Sequence, residues 1–592
     1  MYYIKRFLCI ILIFILLATT SLQNISLTIS AQTVTMAFIE GEYINVRSAP
    51  STKATVLEQI SYTSVSVINK QDNAEGTWYQ ITYQSGSTTI TGYIFYDASY
   101  IRIVSYNPDA SFDEKLNSFP VSYHNSLKTL HAAYPNWNFV PEYINLSFKQ
   151  AVEMQSTNMR KQVEFSDASI SWCSMGPGAY NWLGGTWVND NGGWTAASRE
   201  IIAYYMDPRN FLSAKEIFQF MKQTYSQLPS EEDVKKIVSG TFLANGYPTF
   251  AGDTFGGSYI KLIIKAGEQT SIDPCVLASL ILQEQGSKGT SDLISGKRAG
   301  YEGYYNFFNI SASGPTKEDV IKNGLEKAKK ENWSSIPASI IGGAALYKKN
   351  YIARNSSDDN NPKNQNTYYY QNFNVHNPNE LWHQYAQAIH DSNSKGSILG
   401  KAYFTNANYS FTFRIPVYVD MPETAVPKPE KNSKRNNYYF SNVVVNGLTP
   451  TFNMFTYSYD LTVNEDTTVY ATLVPNSLYA GESSYALKVG DNKVALKVKS
   501  ETGYITDYVI NINATKDCTL YVNTTGTTTS GDTNGDGKID IVDLANVRLY
   551  MLDIYAFNEY QKTAADTNKD GKVDILDLAN IRLHLLGLYT IK

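Results

Sequence analysis

The segment DTNGDGKIDIVDLANVRL at residues 532–549 returns almost unchanged as DTNKDGKVDILDLANIRL at residues 566–583. Each copy has oxygen-bearing side chains at loop positions 1, 3, 5, 9 and 12 and a glycine at position 6. Alternate side chains of a tight loop face one centre, and Ca2+ takes about six to eight oxygen ligands. The repeat therefore predicts a C-terminal helical module that holds two calcium ions.

The predicted ligands are these side chains together with the backbone carbonyl at position 7. They are Asp532, Asn534, Asp536, Lys538, Asp540 and Asp543 in the first loop, and Asp566, Asn568, Asp570, Lys572, Asp574 and Asp577 in the second. A tail of this length buries little apolar surface by itself. We therefore expect calcium to contribute to its folding.

Position 12 of each loop is Asp rather than the Glu of ordinary EF-hands, and we expect a helix after each loop and none before it. With these features, residues 531–592 resemble the type I dockerin family and its paired F-hand motifs. The resemblance implies a cohesin-bearing scaffold protein as the partner. It assigns recognition to positions 10 and 11 and the following helix, namely Ile541, Val542, Arg548 and Leu549 and their counterparts Ile575, Leu576, Arg582 and Leu583. Because the two sets are nearly identical, binding in two opposite orientations is expected.

The N-terminus predicts export. Lys5 and Arg6 precede an apolar run at residues 7–18, which is too short to span a membrane comfortably, and Ala31 is a plausible cleavage point. We expect a signal peptide over residues 1–31, with an uncleaved anchor as the alternative, and a secreted or wall-associated protein without a membrane span after cleavage. The formal net charge of −5 is mildly acidic and does not favour nucleic-acid binding.

The chain of 592 residues is long enough for several domains. Residues 36–105 contain short alternating strands between turn clusters, which predicts a small β-barrel. The segments YINVRSAPSTKATVL (43–57), WYQITY (78–83) and GYI (92–94) resemble the bacterial SH3 family. Members of that family often bind wall peptides, and a purely structural barrel is the alternative.

Residues 115–425 have helical periodicity, with a core at about residues 240–395. The segment SIDPCVLASLILQEQG (271–286) predicts a helix with Asp273 as N-cap and Gly286 as its end. Its apolar residues lie on all sides, so we expect it to be buried. Glu284 falls on the same stripe as Leu277 and Ile281, where partial desolvation would raise its pKa and suit it to donate a proton. A solvent-facing glutamate at a helix end is the other interpretation.

Four further segments follow in order: GYYNFFNI (303–310), SIIGGAALYKKNYI (339–352), NQNTYYYQNFNV (364–375) and LWHQYAQAI (381–389). With the Glu284 helix they resemble glycoside hydrolase family 73, the glucosaminidases that cleave peptidoglycan. The resemblance implies a lysozyme-like α-rich fold and an endo-β-N-acetylglucosaminidase with Glu284 as general acid and Tyr385 as a further active-site residue. It implies a substrate cleft lined by Gln283, Tyr304, Tyr305, Asn306, Phe308 and Asn309.

The second catalytic group stays open at this point. Glycosidases usually use a pair of carboxylates, and Glu302 or Asp292 is a candidate, but the 2-acetamido group of the substrate is an alternative nucleophile. No cofactor is expected for catalysis, because the six histidines form no metal-binding pattern. Alternative functions are cleavage of N-glycan chitobiose cores, a lytic transglycosylase, and a non-catalytic wall-binding protein.

Residues 426–437 are rich in Pro, Lys and Asn and predict a linker. Residues 438–514 alternate between apolar and polar side chains and resemble a cadherin-like β-sandwich. Residues 515–530 predict a Thr-rich linker. Cys275, within the apolar helix, is expected to be a core residue.

Overall fold

The computed structural model describes residues 35–39, 43–60, 63–85, 88–106, 109–157, 160–182, 184–190, 192–385, 387–403, 409–524, 530–533, 538–555, 557 and 559–591. The predicted signal peptide lies outside these residues. The chain divides into two compact units that part between Pro135 and Asn136, apart from the segment Gln84–Thr89, which is grouped with the second unit. No helix in the described part of the chain is long and apolar enough to cross a membrane.

The first unit contains a seven-stranded sheet. Its strands are β1 Thr35–Ile39, β2 Ile44–Arg47, β3 Val56–Ile60, β4 Thr63–Asn73, β5 Gly76–Ser85, β6 Thr88–Phe95 and β7 Ile101–Ser105, in the order β3-β2-β6-β5-β4-β1-β7. Alternate residues such as Val46, Val65 and Ile81 face one buried core. Helices α1 Ala110–Leu116 and α2 Val121–Ala133 complete the unit. The domain boundary predicted at residue 115 falls inside α1.

The second unit begins with a helix-rich region. Its main helices are α3 Phe148–Thr157, α4 Arg199–Met206, α5 Glu231–Val238, α6 Tyr259–Thr270, α7 Pro274–Gln285, α8 Lys317–Lys330, α9 Ile336–Tyr347, α10 Tyr368–Phe373 and α11 Asp391–Tyr403. Strand β8 Asn138–Ser147 pairs in parallel with β13 Thr412–Val419. Short strands β9 Lys161–Glu164, β10 Tyr180–Asn181, β11 Thr186–Trp187 and β12 Trp194–Ala196 form two small antiparallel pairs. The pairing of β8 with β13 joins the two ends of this region.

Two four-stranded sheets follow the helix-rich region. One has the order β14-β16-β21-β18 and the other β15-β20-β19-β17. The strands are β14 Phe440–Val444, β15 Ser458–Val463, β16 Thr467–Leu473, β17 Leu478–Tyr479, β18 Ser484–Leu487, β19 Gly490–Lys499, β20 Ile505–Ala514 and β21 Cys518–Asn523. Val469 and Leu520 of one sheet share a buried cluster with Leu496 and Ile510 of the other. The last strand runs into the segment predicted as a Thr-rich linker.

The predicted linker at residues 426–437 is bound to the helix-rich region rather than free. Trp172 donates its indole N–H to the carbonyl of Pro429 at 3.0 Å, and the hydroxyl of Ser171 donates to the carbonyl of Glu430 at 2.7 Å. Just upstream, Arg209 donates to the carbonyls of residues 422 and 424 at 2.7 and 2.9 Å. These bonds use backbone carbonyls, which composition does not reveal.

The C-terminal module contains α12 Ile541–Met551, α13 Glu559–Ala565 and α14 Ile575–Leu585. Val547 of α12 and Ile581 of α14 are fully buried in a small core with Phe557 and Ala565. Helix α13 ends directly before the second calcium loop. The expectation that no helix precedes a loop is therefore wrong for the second one, because the chain between the loops must return across the core and does so partly as helix.

Candidate active site

Helix α7 is fixed inside the helix-rich region. Its residues from Pro274 to Ile281 are all buried, as the apolar pattern predicts, and Cys275 is a core residue. Asp273 caps the helix by accepting the N–H of Cys275 at 2.7 Å, and the hydroxyl of Tyr403 donates to the same carboxyl at 2.8 Å. Burial raises the pKa of Asp273 to about 6. The helix that carries Glu284 thus starts at a buried, titratable cap.

The Glu284 side chain lies half-buried at the other end of α7. Burial raises the pKa of its carboxyl above the ordinary value, and the charge of Asp391 adds to this, whereas Lys395, Asn309 and Tyr385 act in the opposite direction. The side-chain amide of Asn309 donates to Oε2 of Glu284 at 3.0 Å and also to its backbone carbonyl at 3.0 Å. One carboxyl oxygen is therefore held by a donor.

Asn309 is positioned by its own loop. Its φ of 50° is left-handed, a conformation that asparagine tolerates better than most residues. Gln285, the last residue of α7, donates its side-chain amide to Oδ1 of Asn309 at 2.6 Å. Both ends of the Asn309 amide are therefore fixed, so its N–H groups point towards Glu284.

Asn306 and Phe308 support the loop from inside. Asn306 is fully buried and donates to the carbonyls of Ile310 and Gly324, both at 2.9 Å. Phe308 is also buried, and its ring lies where a Cβ on Gly343 would come within 2.3 Å. Their burial does not support the prediction that these two residues line the substrate cleft.

The other predicted cleft residues are accessible. Gln283 is exposed, and Tyr304 and Tyr305 are half-buried. Phe307 is fully buried, as expected for a packing residue. Accessible aromatic faces of this kind can stack on sugar rings.

Tyr385 lies against the Glu284 carboxyl. The rings of Tyr347 and Tyr351 pack edge-on against it, with centroids at 5.5 and 5.1 Å. Burial, followed by the charge of Glu284, raises the pKa of the Tyr385 phenol well above its ordinary value. The hydroxyl lowers the pKa of Glu284 as a hydrogen-bonding group, although it makes no hydrogen bond of good geometry within the described residues. We infer a close but imperfectly aligned contact between the phenol and the carboxyl.

The two sequence candidates for a second carboxylate are engaged elsewhere. Glu302 is exposed and accepts the backbone N–H of Gly300 in its own loop at 3.1 Å. Asp292 pairs with Arg298 at 3.3 Å, and its side chain is 47% exposed. The carboxylate that most affects Glu284 is Asp391, which sequence reasoning missed. Its only sequence signal is the four-residue spacing to Lys395, an ordinary helical pair spacing.

In the C-terminal module, the position-12 carboxylates are buried. Asp543 and Asp577 accept the N–H groups of Thr533 and Thr567, each at 2.8 Å. Asp566 accepts the N–H of Asp570 at 3.1 Å and that of Gly571 at 2.9 Å, so the second loop curls around its first ligand. Asn534 and Asp536 of the first loop lie outside the described residues.

Within the described residues, no group of three or more His, Cys, Asp or Glu side chains is arranged to hold a metal ion. A calcium loop of this type also uses amide and carbonyl oxygens, which the sequence predicts to come from Asn568 and Lys572. The second loop places Asn568 beside Asp570, with 3.2 Å between the amide nitrogen and the carboxylate oxygen. Its all-oxygen donor set suits Ca2+.

The residues predicted to bind a partner are all exposed. They are Ile541, Val542, Arg548 and Leu549 on α12, and Ile575, Leu576, Arg582 and Leu583 on α14. Ile541 and Ile575 are 67% and 61% exposed, which is unusual for isoleucine. The two helices thus present matching apolar surfaces.

Comparison with protein families matches residues 530–586 to the dockerin type I domain and residues 42–102 to the bacterial SH3 domain. The chain carries a bacterial SH3 domain and a type I dockerin. A β-N-acetylglucosaminidase of Bacillus subtilis is 29% identical over 236 residues, which are 39% of this chain and 24% of the relative. A bifunctional autolysin of Staphylococcus epidermidis is 26% identical over 235 residues, 38% of this chain and 16% of the relative.

The chain thus spans a quarter or less of the length of these curated relatives. Among solved structures, S. aureus glucosaminidase B aligns with a TM-score of 0.32 at 23% identity, covering 48% of this chain and 94% of that one. The likeness to glucosaminidases and autolysins lies over the region that the sequence predicts to be catalytic.

Proposed function

We propose that the chain is a secreted peptidoglycan hydrolase, an endo-β-N-acetylglucosaminidase that cleaves β-1,4 bonds on the N-acetylglucosamine side of the glycan strand. The observation that carries this proposal is Glu284, a half-buried carboxyl with a raised pKa at the end of a buried helix. The names of the relatives, β-N-acetylglucosaminidase and bifunctional autolysin, support it.

Glu284 acts as general acid. Asn309 donates to Oε2, so the proton is carried by Oε1. Glu284 gives this proton to the glycosidic oxygen as the bond from that oxygen to the anomeric carbon breaks. Tyr385 lies against the carboxyl, and Tyr304 and Tyr305 offer ring faces to the sugars.

The 2-acetamido group of the substrate is our proposed nucleophile, because Glu302 is exposed and Asp292 is paired with Arg298. Its carbonyl oxygen attacks the anomeric carbon, and water then opens the resulting ring. Such a double displacement retains the anomeric configuration, whereas direct attack by water inverts it. NMR of the first product therefore tests this step.

The test of the whole proposal is Glu284→Gln, assayed by lysis of purified peptidoglycan and by mass spectrometry of the products. We expect loss of at least about 100-fold in rate, the typical contribution of a general acid. Glu331→Gln is the control, because that carboxyl pairs with Lys327 at the end of α8. Retained lysis in Glu284→Gln would overturn the proposal.

The same products separate the alternatives. An anhydro sugar would indicate a lytic transglycosylase, and activity confined to N-glycan chitobiose cores would change the substrate. Binding to the wall without cleavage would indicate a non-catalytic protein. Glu302→Gln belongs in the series, since a strong loss there would return the second carboxylate to the mechanism.

We further propose that the dockerin binds two Ca2+ ions and docks onto a cohesin-bearing scaffold. Calcium would neutralise the loop carboxylates and fix the loops that position α12 and α14. The exposed apolar pairs Ile541–Val542 and Ile575–Leu576 support two equivalent docking orientations. Replacing one pair with alanines should leave affinity for a cohesin module intact, and replacing both should abolish it. Complete loss from one replacement would refute dual binding.

A further inference from the structure

A buried ion pair acts electrostatically on the proposed proton donor. Nζ of Lys395 is 2.8 Å from Oδ2 of Asp391, and the two side chains are only 1% and 9% exposed. Both residues are on α11, one turn apart. Buried ion pairs seldom add net stability, because removing two charges from water costs about as much as their attraction returns. Stability alone is therefore a weak reason for placing this pair in the interior.

The pair is joined to the active site through Tyr385. The ammonium of Lys395 lies 4.1 Å from the centroid of the Tyr385 ring, which is cation–π distance. It also lies 5.8 Å from the ring of Tyr368. Tyr385 therefore has a buried cation against its ring face and the Glu284 carboxyl beside its hydroxyl.

We propose that Asp391 and Lys395 form a positioning pair for the proton donor. Lys395 holds Tyr385 against Glu284, and Asp391 cancels the positive charge that would otherwise favour the ionised Glu284 carboxylate. This proposal rests on the proposed role of Glu284 as general acid. Neither member of the pair touches the substrate in this scheme.

Electrostatics support this geometry. Lys395 is the strongest charge lowering the pKa of Glu284, and Asp391 raises it. The other groups that face Glu284 are the Asn309 amide and the Tyr385 and Tyr351 phenols.

Arg354 acts on Tyr351 and is paired with Glu380 at 2.9 Å, and Arg160 is a second cation near this cluster. It interacts with Tyr351 and Asp391, and burial lowers its pKa to about 10, so it stays a cation at neutral pH. It is common to every variant compared below. The variants therefore change the balance between Asp391 and Lys395 alone.

The two members of the pair should shift the activity profile in opposite directions. In Asp391→Asn the charge of Lys395 is uncompensated, so Glu284 loses its proton at lower pH. The alkaline limb of the pH–activity profile, where activity falls as Glu284 ionises, therefore moves to lower pH. In Lys395→Met the Asp391 charge is uncompensated, so the alkaline limb moves up while the maximal rate falls because Tyr385 loses its support. An opposite or like charge at this range typically shifts a pKa by about one unit or more.

The experiment measures the pH dependence of kcat/KM for peptidoglycan lysis from pH 4 to 9, using the full calcium-loaded chain. The variants are Asp391→Asn, Lys395→Met, the double variant and Glu284→Gln. We expect the alkaline limbs of the two single variants to be displaced by about one pH unit in opposite directions. The double variant should have a lower rate but a limb close to that of wild type. A pair with a merely structural role would lower the rate without moving the limb.

The outcomes separate the two proposals. If Glu284→Gln retains activity, the general acid is misassigned and the positioning role is overturned with it. If Glu284→Gln is inactive while the single variants keep the wild-type limb, only the positioning pair is refuted. Should Lys395→Met fail to fold, Asp391→Asn and the neutral double variant decide the question, because limbs in the same place would refute the pair.

Discussion

Asp273 makes the helix that carries Glu284 sensitive to pH. Its carboxyl is 3% exposed, and burial raises its pKa from 3.8 to about 6. The folded state therefore holds this proton more tightly than the unfolded chain does. The stability that the protonated form contributes is complete below about pH 4 and is lost as pH rises through about 6.

The perturbation is Asp273→Asn, which keeps an oxygen for the N–H of Cys275 and for the hydroxyl of Tyr403 but removes the titration. Asparagine is also a good N-cap. A pKa difference of this size corresponds to about 3 kcal/mol of unfolding free energy. For a region of this size that is about 6 to 12 °C in Tm.

The assay is scanning calorimetry of both proteins between pH 4 and pH 7. We expect similar Tm values at pH 4 and a variant that becomes progressively more stable than wild type as pH rises. Asp253→Asn is the matched control with the opposite sign. Burial raises the pKa of Asp253, but the N–H groups of Phe255 and Gly257 outweigh it and lower the pKa. That variant should lose stability at neutral pH, with the difference shrinking at acidic pH. Parallel Tm curves for wild type and Asp273→Asn would show that the folded state does not raise the pKa of the Asp273 carboxyl.

Two further predictions concern the buried Asp207–Arg209 ion pair and the calcium loops of the dockerin. Arg209→Met removes the partner of the fully buried Asp207, 2.7 Å away, and should lower the free energy of unfolding measured in urea by about 3 to 5 kcal/mol. The control is Lys235→Met, which breaks an exposed ion pair and should cost less than about 1 kcal/mol. Equal losses in the two variants would contradict the importance of burial for this ion pair. Removing calcium with EDTA should abolish the hydrogen-exchange protection of α12 and α14, because the small core around Val547 and Ile581 cannot keep the module folded alone. Unchanged protection would contradict a structural role for the metal.

Local patterns predicted much of the fold. The N-cap at Asp273, the apolar run after it and the stop at Gly286 define α7 correctly, because these signals depend only on neighbouring residues. The two dockerin helices likewise begin at the capping aspartates Asp540 and Asp574. Strand alternation after residue 438 predicted the two sheets for the same reason.

Contacts between residues far apart in the chain could not be predicted from the sequence. The linker looked free because its composition is rich in Pro, Lys and Asn. Its carbonyls are nevertheless bound by Ser171 and Trp172, more than 200 residues away in the chain. Asn306 and Phe308 were predicted to line the cleft because they fall within the segment that resembles the family motif. Phe308 is buried because its ring packs directly against Gly343 of α9. Asn306 is buried where it donates to the carbonyls of Ile310 and Gly324. No local sequence pattern encodes these contacts.

The environment of Glu284 shows why a site cannot be assigned from one carboxylate. Burial alone would raise its pKa, but Asn309, Tyr385 and Lys395 each favour the charged form. A donor that must give up a proton and take it back in each cycle needs both tendencies in balance. Asp391 opposes the effect of Lys395 on the pKa of Glu284, and the two residues form a buried ion pair on α11. Helix α11, through Asp391 and Lys395, therefore contributes to the protonation of Glu284 as α7 does, although only α7 carries a recognisable motif.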